Sequence, residues 1–193
     1  MLKKIKKTLS ILCCLLLAGT FFCPTEVLAS SFGLSEIDHD TKIVMSYVTV
    51  TDESIFMFDK EGAIANNETN EIIEIGEKLQ EFSIAYANTE NSTTRLYKAS
   101  VPTLPIYGNY CGPKYGSDDP IDYLDQLCQK HDDCYSKNGY YSCACDKTLV
   151  KNINKKYDKM EGSQKTAAAA VKLYFQWCID HPTKEGGIGH CKE

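Results

Sequence analysis

Hydrophobic positions fall first at a strand-like spacing and then at a helical one. In "KIVMSYVTV" (42–50) and "SIFMFDKEGAI" (54–64) β-branched and aromatic residues dominate, and Thr51-Asp52-Glu53 separates the two runs. That pattern predicts two strands joined by a polar turn. From 70 to 88 the period lengthens: Ile72, Ile75, Leu79, Phe82 and Tyr86 recur at three- and four-residue intervals. One helix with an apolar stripe against a core is the expectation. Asn70 stands where a cap belongs, and Glu71 and Glu74 suit the positive end of a helix. "ASVPTLP" (99–105) reads as an extended connector, and "IYGNYCGPKYGSDDP" (106–120) as a loop rich in Gly and Pro. Three more helices are predicted, from Asp122 to about Lys137, over 142–157 and over 163–180. The tail "KEGGIGHCKE" is expected to stay flexible until Cys191 is tied down.

The N-terminus changes the picture of where this chain works. Lys3, Lys4, Lys6 and Lys7 precede the apolar run "LSILCCLLLAGTFF" (9–22), and Val27 and Ala29 supply the small-residue pattern of a signal-peptidase site. Residues 1–29 are therefore expected to be a signal peptide, and the mature protein to be secreted and extracellular. Removal of four lysines and Glu26 lowers the 21 basic and 26 acidic residues to 17 and 25, a net charge of −8. A surface that acidic argues against a nucleic-acid partner. Three of the ten cysteines leave with the signal. The seven that remain are Cys111, Cys128, Cys134, Cys143, Cys145, Cys178 and Cys191, and in an oxidising compartment they are expected to form disulfides. An odd count leaves at least one free, modified, or paired with another chain. Residues 30–105 hold none of the seven, so the expected boundary separates an accessory module or propeptide (30–105) from a cysteine-bearing domain (106–193). Asn67-Glu68-Thr69 and Asn91-Ser92-Thr93 are glycosylation sequons.

Chemistry concentrates in "CQKHDDCY" (128–135). On a helix Cys128, His131, Asp132 and Tyr135 share one face, and on the next helix Asp146 heads an otherwise apolar face with Leu149, Val150 and Ile153. A buried aspartate needs a partner. His131 and Tyr135 are the nearest candidates if the helices run antiparallel. Four readings compete for the constellation: a thiolate metal cluster, a cysteine nucleophile with its base, a stapled structural helix, and a stapled helix carrying a general base and a calcium carboxylate. The last also gives the preceding loop a role, since its carbonyls suit a hard cation. His39 and His181 lie in polar loop contexts and are expected to be exposed, and His190 belongs to the tail.

"YGNYCGPKYG…PIDYLDQLCQKHDDCY" followed by "CACD" resembles the secreted, calcium-dependent phospholipase A2 family over about residues 107–150. The resemblance implies a mainly α, disulfide-stapled core with two antiparallel catalytic helices and a calcium-binding loop. Residues 30–105 lie outside the resemblance, and their strand and helix patterns predict a small α+β N-terminal region. It implies His131 as general base, Asp146 and Tyr135 as its supports, and Ca2+ held by Asp132 with the carbonyls of Tyr110, Gly112 and Lys114. It implies Cys111–Cys128 and Cys134–Cys145 as bridges, and a phospholipid membrane or micelle surface as substrate. Lys114 and Tyr115 stand where the family has a Gly-Gly pair, and Leu127 and Asn109 replace cysteines. A non-catalytic binding protein acting on a membrane or receptor is the alternative on the same scaffold.

Overall fold

The computed structural model describes residues 39–90, 106–113, 116 and 118–193. The expected signal peptide, the sequon at Asn91, the connector and Lys114 lie outside the described residues.

The first run of the chain departs from the strand expected for it. Residues His39–Ser46 form helix α1, in which Thr41, Val44 and Met45 are buried. That spacing is the face of a helix, and it outweighs the local β-preference of Ile43 and Val44. Strands β1 (Val48–Val50) and β2 (Phe56–Phe58) then pair antiparallel, Val48 opposite Phe58 and Val50 opposite Phe56. The second expected strand ends early because Asp59 caps a helix, its Oδ1 accepting the Gly62 N–H at 2.9 Å. The short helix α2 (Lys60–Ala65) follows.

Helix α3 spans Asn70–Glu90. Thr69, rather than Asn70, provides the cap, its Oγ1 accepting the Ile72 N–H. The apolar stripe does what its period predicts: Ile72, Ile75, Leu79 and Phe82 are buried, each stabilising by roughly 1.5–3 kcal/mol against exposure. Phe58 lies flat over Gly76, where a Cβ would stand 2.3 Å from the ring. The glycine lets the hairpin close down on α3.

Helix α4 runs Tyr123–Asn138, capped at its start by the Asp122 carboxylate on the Asp125 N–H and ended by Gly139 at φ 91°. Helix α5 is Cys143–Asn154, and after a 3-10 turn at Tyr157–Lys159 helix α6 covers Gly162–Asp180. The links His131–Asp146 and Cys134–Cys145 step in opposite directions along α4 and α5, so the two run antiparallel. The centre of the molecule is α6, whose run Ala167–Ala170 is buried. Small side chains there let α3 and α5 both approach its axis, and one hydrophobic cluster joins residues of α1, α3, α4, α5 and α6. Three disulfides, Cys111–Cys128, Cys134–Cys145 and Cys143–Cys191, bind the second half. The third pins the tail, which also donates the Lys192 N–H to the Tyr141 carbonyl. Cys178 is the free thiol among the described residues, and it is buried in α6.

Candidate active site

His131 and Asp146 meet between α4 and α5. Nε2 of His131 lies 2.8 Å from Oδ1 of Asp146, and the Tyr135 hydroxyl donates to the same oxygen at 2.6 Å. The three side chains are 5%, 1% and 7% exposed. Cys134–Cys145 clamps the helices close by, three residues after His131 on α4 and one before Asp146 on α5. Phe175 of α6 presents its ring edge-on to the imidazole, 4.6 Å between centroids. Burial first, and the Asp146 charge after it, push the Tyr135 phenol far above its usual range, so it stays protonated and donates. The second oxygen of Asp146, Oδ2, is buried with no hydrogen-bond partner among the described residues.

Asp132 is next in sequence but takes no part in these hydrogen bonds. It is half-buried, and no hydrogen-bond donor or cation reaches it among the described residues. Burial foremost, then the charges of Asp133 and Asp125, push its carboxyl up to about 7. A carboxylate desolvated among like charges is suited to a divalent cation, which would restore its ionised form. Among the described residues no group of three or more His, Cys, Asp or Glu side chains converges as a metal site. A cation here would therefore take main-chain oxygens as well.

The loop main chain ahead of α4 is held in place by Asp125. Its carboxylate, fully buried, accepts N–H groups from Asn109 at 2.9 Å, Tyr110 at 2.7 Å and Ile121 at 3.0 Å. Gly108, at φ +58°, makes the approach possible, since a Cβ there would stand 2.3 Å from the carboxyl carbon. Asp122 accepts a hydrogen bond from the Tyr107 hydroxyl, and Cys111–Cys128 joins the loop to α4. The loop that contains Tyr110 and Gly112 is thus tied to the start of α4 through Asp125, through Asp122 and through the Cys111–Cys128 bridge. The sequence shows Asp125 as an acidic residue in a first helical turn, which is ordinary. Its signal was the spacing, three residues before Cys128 and seven before Asp132.

Both cysteines of "CQKHDDCY" are oxidised. That removes the thiolate metal cluster and the cysteine nucleophile from the four readings. His39 is exposed as expected. His181 is not: it is partly buried, stacked on Trp177 at 3.8 Å. His190 links the tail to the hairpin, one ring nitrogen 2.7 Å from the His181 carbonyl and the other 3.4 Å from Ser54 Oγ.

No protein-family model matches the chain, and no solved structure does. Curated proteins do. The chain is 49% identical over 51 residues to the acidic phospholipase A2 homolog taipoxin gamma chain of Oxyuranus scutellatus scutellatus, 26% of this chain and 32% of that one. It is 49% identical over 61 residues to phospholipase A2 'basic' of Naja nigricollis, 29% and 51% of the two chains. With phospholipase A2-beta of Arabidopsis thaliana it shares 32% over 76 residues, 37% and 52%. The chain thus spans about a third to a half of the length of these relatives. The similarity supports a phospholipase A2-like family, and the mainly helical, disulfide-bonded fold with its small antiparallel sheet fits it.

Proposed function

We propose that the protein is a secreted, calcium-dependent phospholipase A2, releasing the sn-2 fatty acid of a glycerophospholipid and leaving a lysophospholipid. The observation that carries this reading is the buried His131–Asp146 hydrogen bond, braced by Tyr135, with the Asp132 carboxylate next in sequence. Asp146 accepts from Nε2–H, so Nδ1 keeps the free lone pair. His131 can then take a proton from the water that attacks the ester carbonyl, and return it to the glycerol oxygen as the sn-2 C–O bond breaks. Asp146 fixes the tautomer and stabilises the imidazolium, the part that the third member plays in a triad. Asp132 with the carbonyls of Tyr110, Gly112 and Lys114 would hold the calcium. Bound there, calcium would polarise the ester carbonyl and offset the phosphate charge.

Ile121 and Tyr123 at the start of α4, and Tyr140 just past its end, are exposed apolar side chains suited to a lipid surface. The disulfides support an extracellular setting, and among the described residues no helix is long and apolar enough to cross a membrane. Residues 30–105 are proposed to support the catalytic half. A non-catalytic membrane- or receptor-binding protein is the second reading, favoured by Lys114-Tyr115 in place of two glycines. Fatty-acid release from phospholipid vesicles, measured with calcium and with a chelator, decides between them. Release that requires calcium and is lost in His131→Gln supports the enzyme; vesicle binding without release would leave the binding protein.

A further inference from the structure

Cys143, Cys178 and Cys191 come together where α5, α6 and the tail meet, and all three are buried. The Cys143–Cys191 bridge joins the first residue of α5 to the tail. The Cys191 N–H donates to the carbonyl of Cys178, the free thiol of α6, at 3.2 Å. Cys191 therefore stands between its present partner and a second cysteine. The bonds on either side of that main-chain contact keep the two Cα atoms within about 7 Å, the reach at which a disulfide becomes possible. Burial, and then the charge of Asp146 one turn beyond Cys143, push the Cys178 thiol well above its usual range. The thiol is thus protonated in the closed molecule, and the present bridge persists beside it. The tail reaches further than α5. Ile188 packs with Ile55, Ile84 and Ala87 in a small apolar cluster. Gly189, at φ +71°, sits on the hairpin turn, where a Cβ would stand 2.3 Å from that of Ser54. The bridge at Cys191 thereby couples α5 to the hairpin and α3.

We propose that Cys143, Cys178 and Cys191 form a disulfide-exchange site, in which the covalent anchor of the tail passes from α5 to α6. The step needs neither oxidant nor reductant. Cys178 gives its proton to water, and its thiolate attacks Sγ of Cys191. The Cys143–Cys191 bond breaks as Cys178–Cys191 forms, and Cys143 leaves as a thiolate that takes up a proton. One disulfide and one thiol are present before and after. Exchange releases the first turn of α5, three residues ahead of Asp146, while Ile188 keeps the tail on the N-terminal cluster. The chain thus has two covalent states, one with the tail tied to the helix that carries Asp146 and one with it tied to α6. This inference is independent of the phospholipase reading.

Disulfide mapping of the full chain tests this without any lipid. The folded parent is incubated at about pH 8.5, near the reference value of a thiol, then labelled with a maleimide in acidic denaturant and digested. The label is expected at Cys178 at first and, with time, at Cys143 as well. A Cys178–Cys191 peptide should appear in step, with Cys111–Cys128 and Cys134–Cys145 intact. Cys178→Ser should never show label at Cys143. Cys143→Ser should hold no titratable thiol when unfolded without reductant, because Cys178 and Cys191 close on each other. In that variant the first-turn amides of α5 should exchange hydrogen about tenfold or more faster than the parent's, as expected of a locally released segment. Two thiols in unfolded Cys143→Ser, or label confined to Cys178 in the parent at every time, overturns the proposal. Label spread to the cysteines of the other two bridges also overturns it, since that is general scrambling. Parental amide exchange in Cys143→Ser overturns the claim that the anchor holds α5. If Cys143→Ser does not fold, the parent's map decides alone.

Discussion

At the scale of single residues, neighbouring carboxylates with the same charge do different work because their surroundings differ. Asp146 is sealed against His131 and Tyr135, Asp125 is saturated by main-chain N–H groups, and Asp132 is left without a counter-charge. Each environment predicts its own loss. Asp132→Ala should abolish both calcium binding and hydrolysis. His131→Gln should keep calcium binding and lose about 10²-fold or more in turnover, the usual scale for a general base. Calorimetric calcium titration beside a fatty-acid release assay separates the two, and an Asp132→Ala protein that binds calcium normally would sink the assignment. Asp125→Asn presents an amide NH₂ where acceptor oxygens met three donors. With hydrogen bonds to charged groups worth roughly 1.5–3 kcal/mol each, a destabilisation of about 2–4 kcal/mol is expected, together with weaker calcium binding. A denaturant midpoint equal to the parent's would show that the loop is held by something else.

Among the elements, long helices were legible and short ones were not. The stripe from Ile72 to Phe82 places α3 from sequence alone, and the helix expected from Asp122 to about Lys137 matches α4 closely. Helix α1 was hidden: eight residues with β-branched side chains have little intrinsic helical signal, and only packing of Thr41, Val44 and Met45 settles the matter. The site divides the same way. His131, Asp132, Tyr135 and Asp146 are readable as faces of two helices. Asp125 reaches a loop about fifteen residues back in the chain, a contact that no local period can show. Cysteine parity left at least one cysteine without a partner in this chain, and only the closure of Cys143 on Cys191 identifies it as Cys178. The clamp between the catalytic helices can be tested directly. Replacing Cys134 and Cys145 by Ser removes a bridge of sequence separation 11, and a loss of about 2–3 kcal/mol in denaturant unfolding is expected for so short a loop. Turnover should fall further than stability explains, because the same clamp sets the spacing of His131 and Asp146; unchanged kcat in the folded double variant would show that packing against α6 suffices.

For the whole molecule, composition and packing suggest different units. The seven cysteines of the expected mature chain all lie beyond residue 106, yet the apolar core crosses that point: Ile75, Leu79 and Phe82 of α3 belong to one cluster with Ala167–Ala170, Leu173 and Phe175 of α6. Helix α6 has α5 on one side and α3 on another, so stripping α3 away would expose a seam of alanines and aromatics that water does not favour. Leu79, fully buried in that seam, reports on whether the two regions unfold together. Leu79→Ala should cost about 2–5 kcal/mol, the range for large-to-small changes in a core. If the molecule is one cooperative unit, the variant should lower a single midpoint, shared by helical circular dichroism and by residual fatty-acid release. If residues 30–105 are a separable module, the dichroism should split into two steps, and release should follow only the step that Leu79→Ala leaves in place. The disulfides lie wholly in the second half, which gives the experiment its contrast. Reduction weakens that half first, and in a single cooperative unit α3 must melt with it.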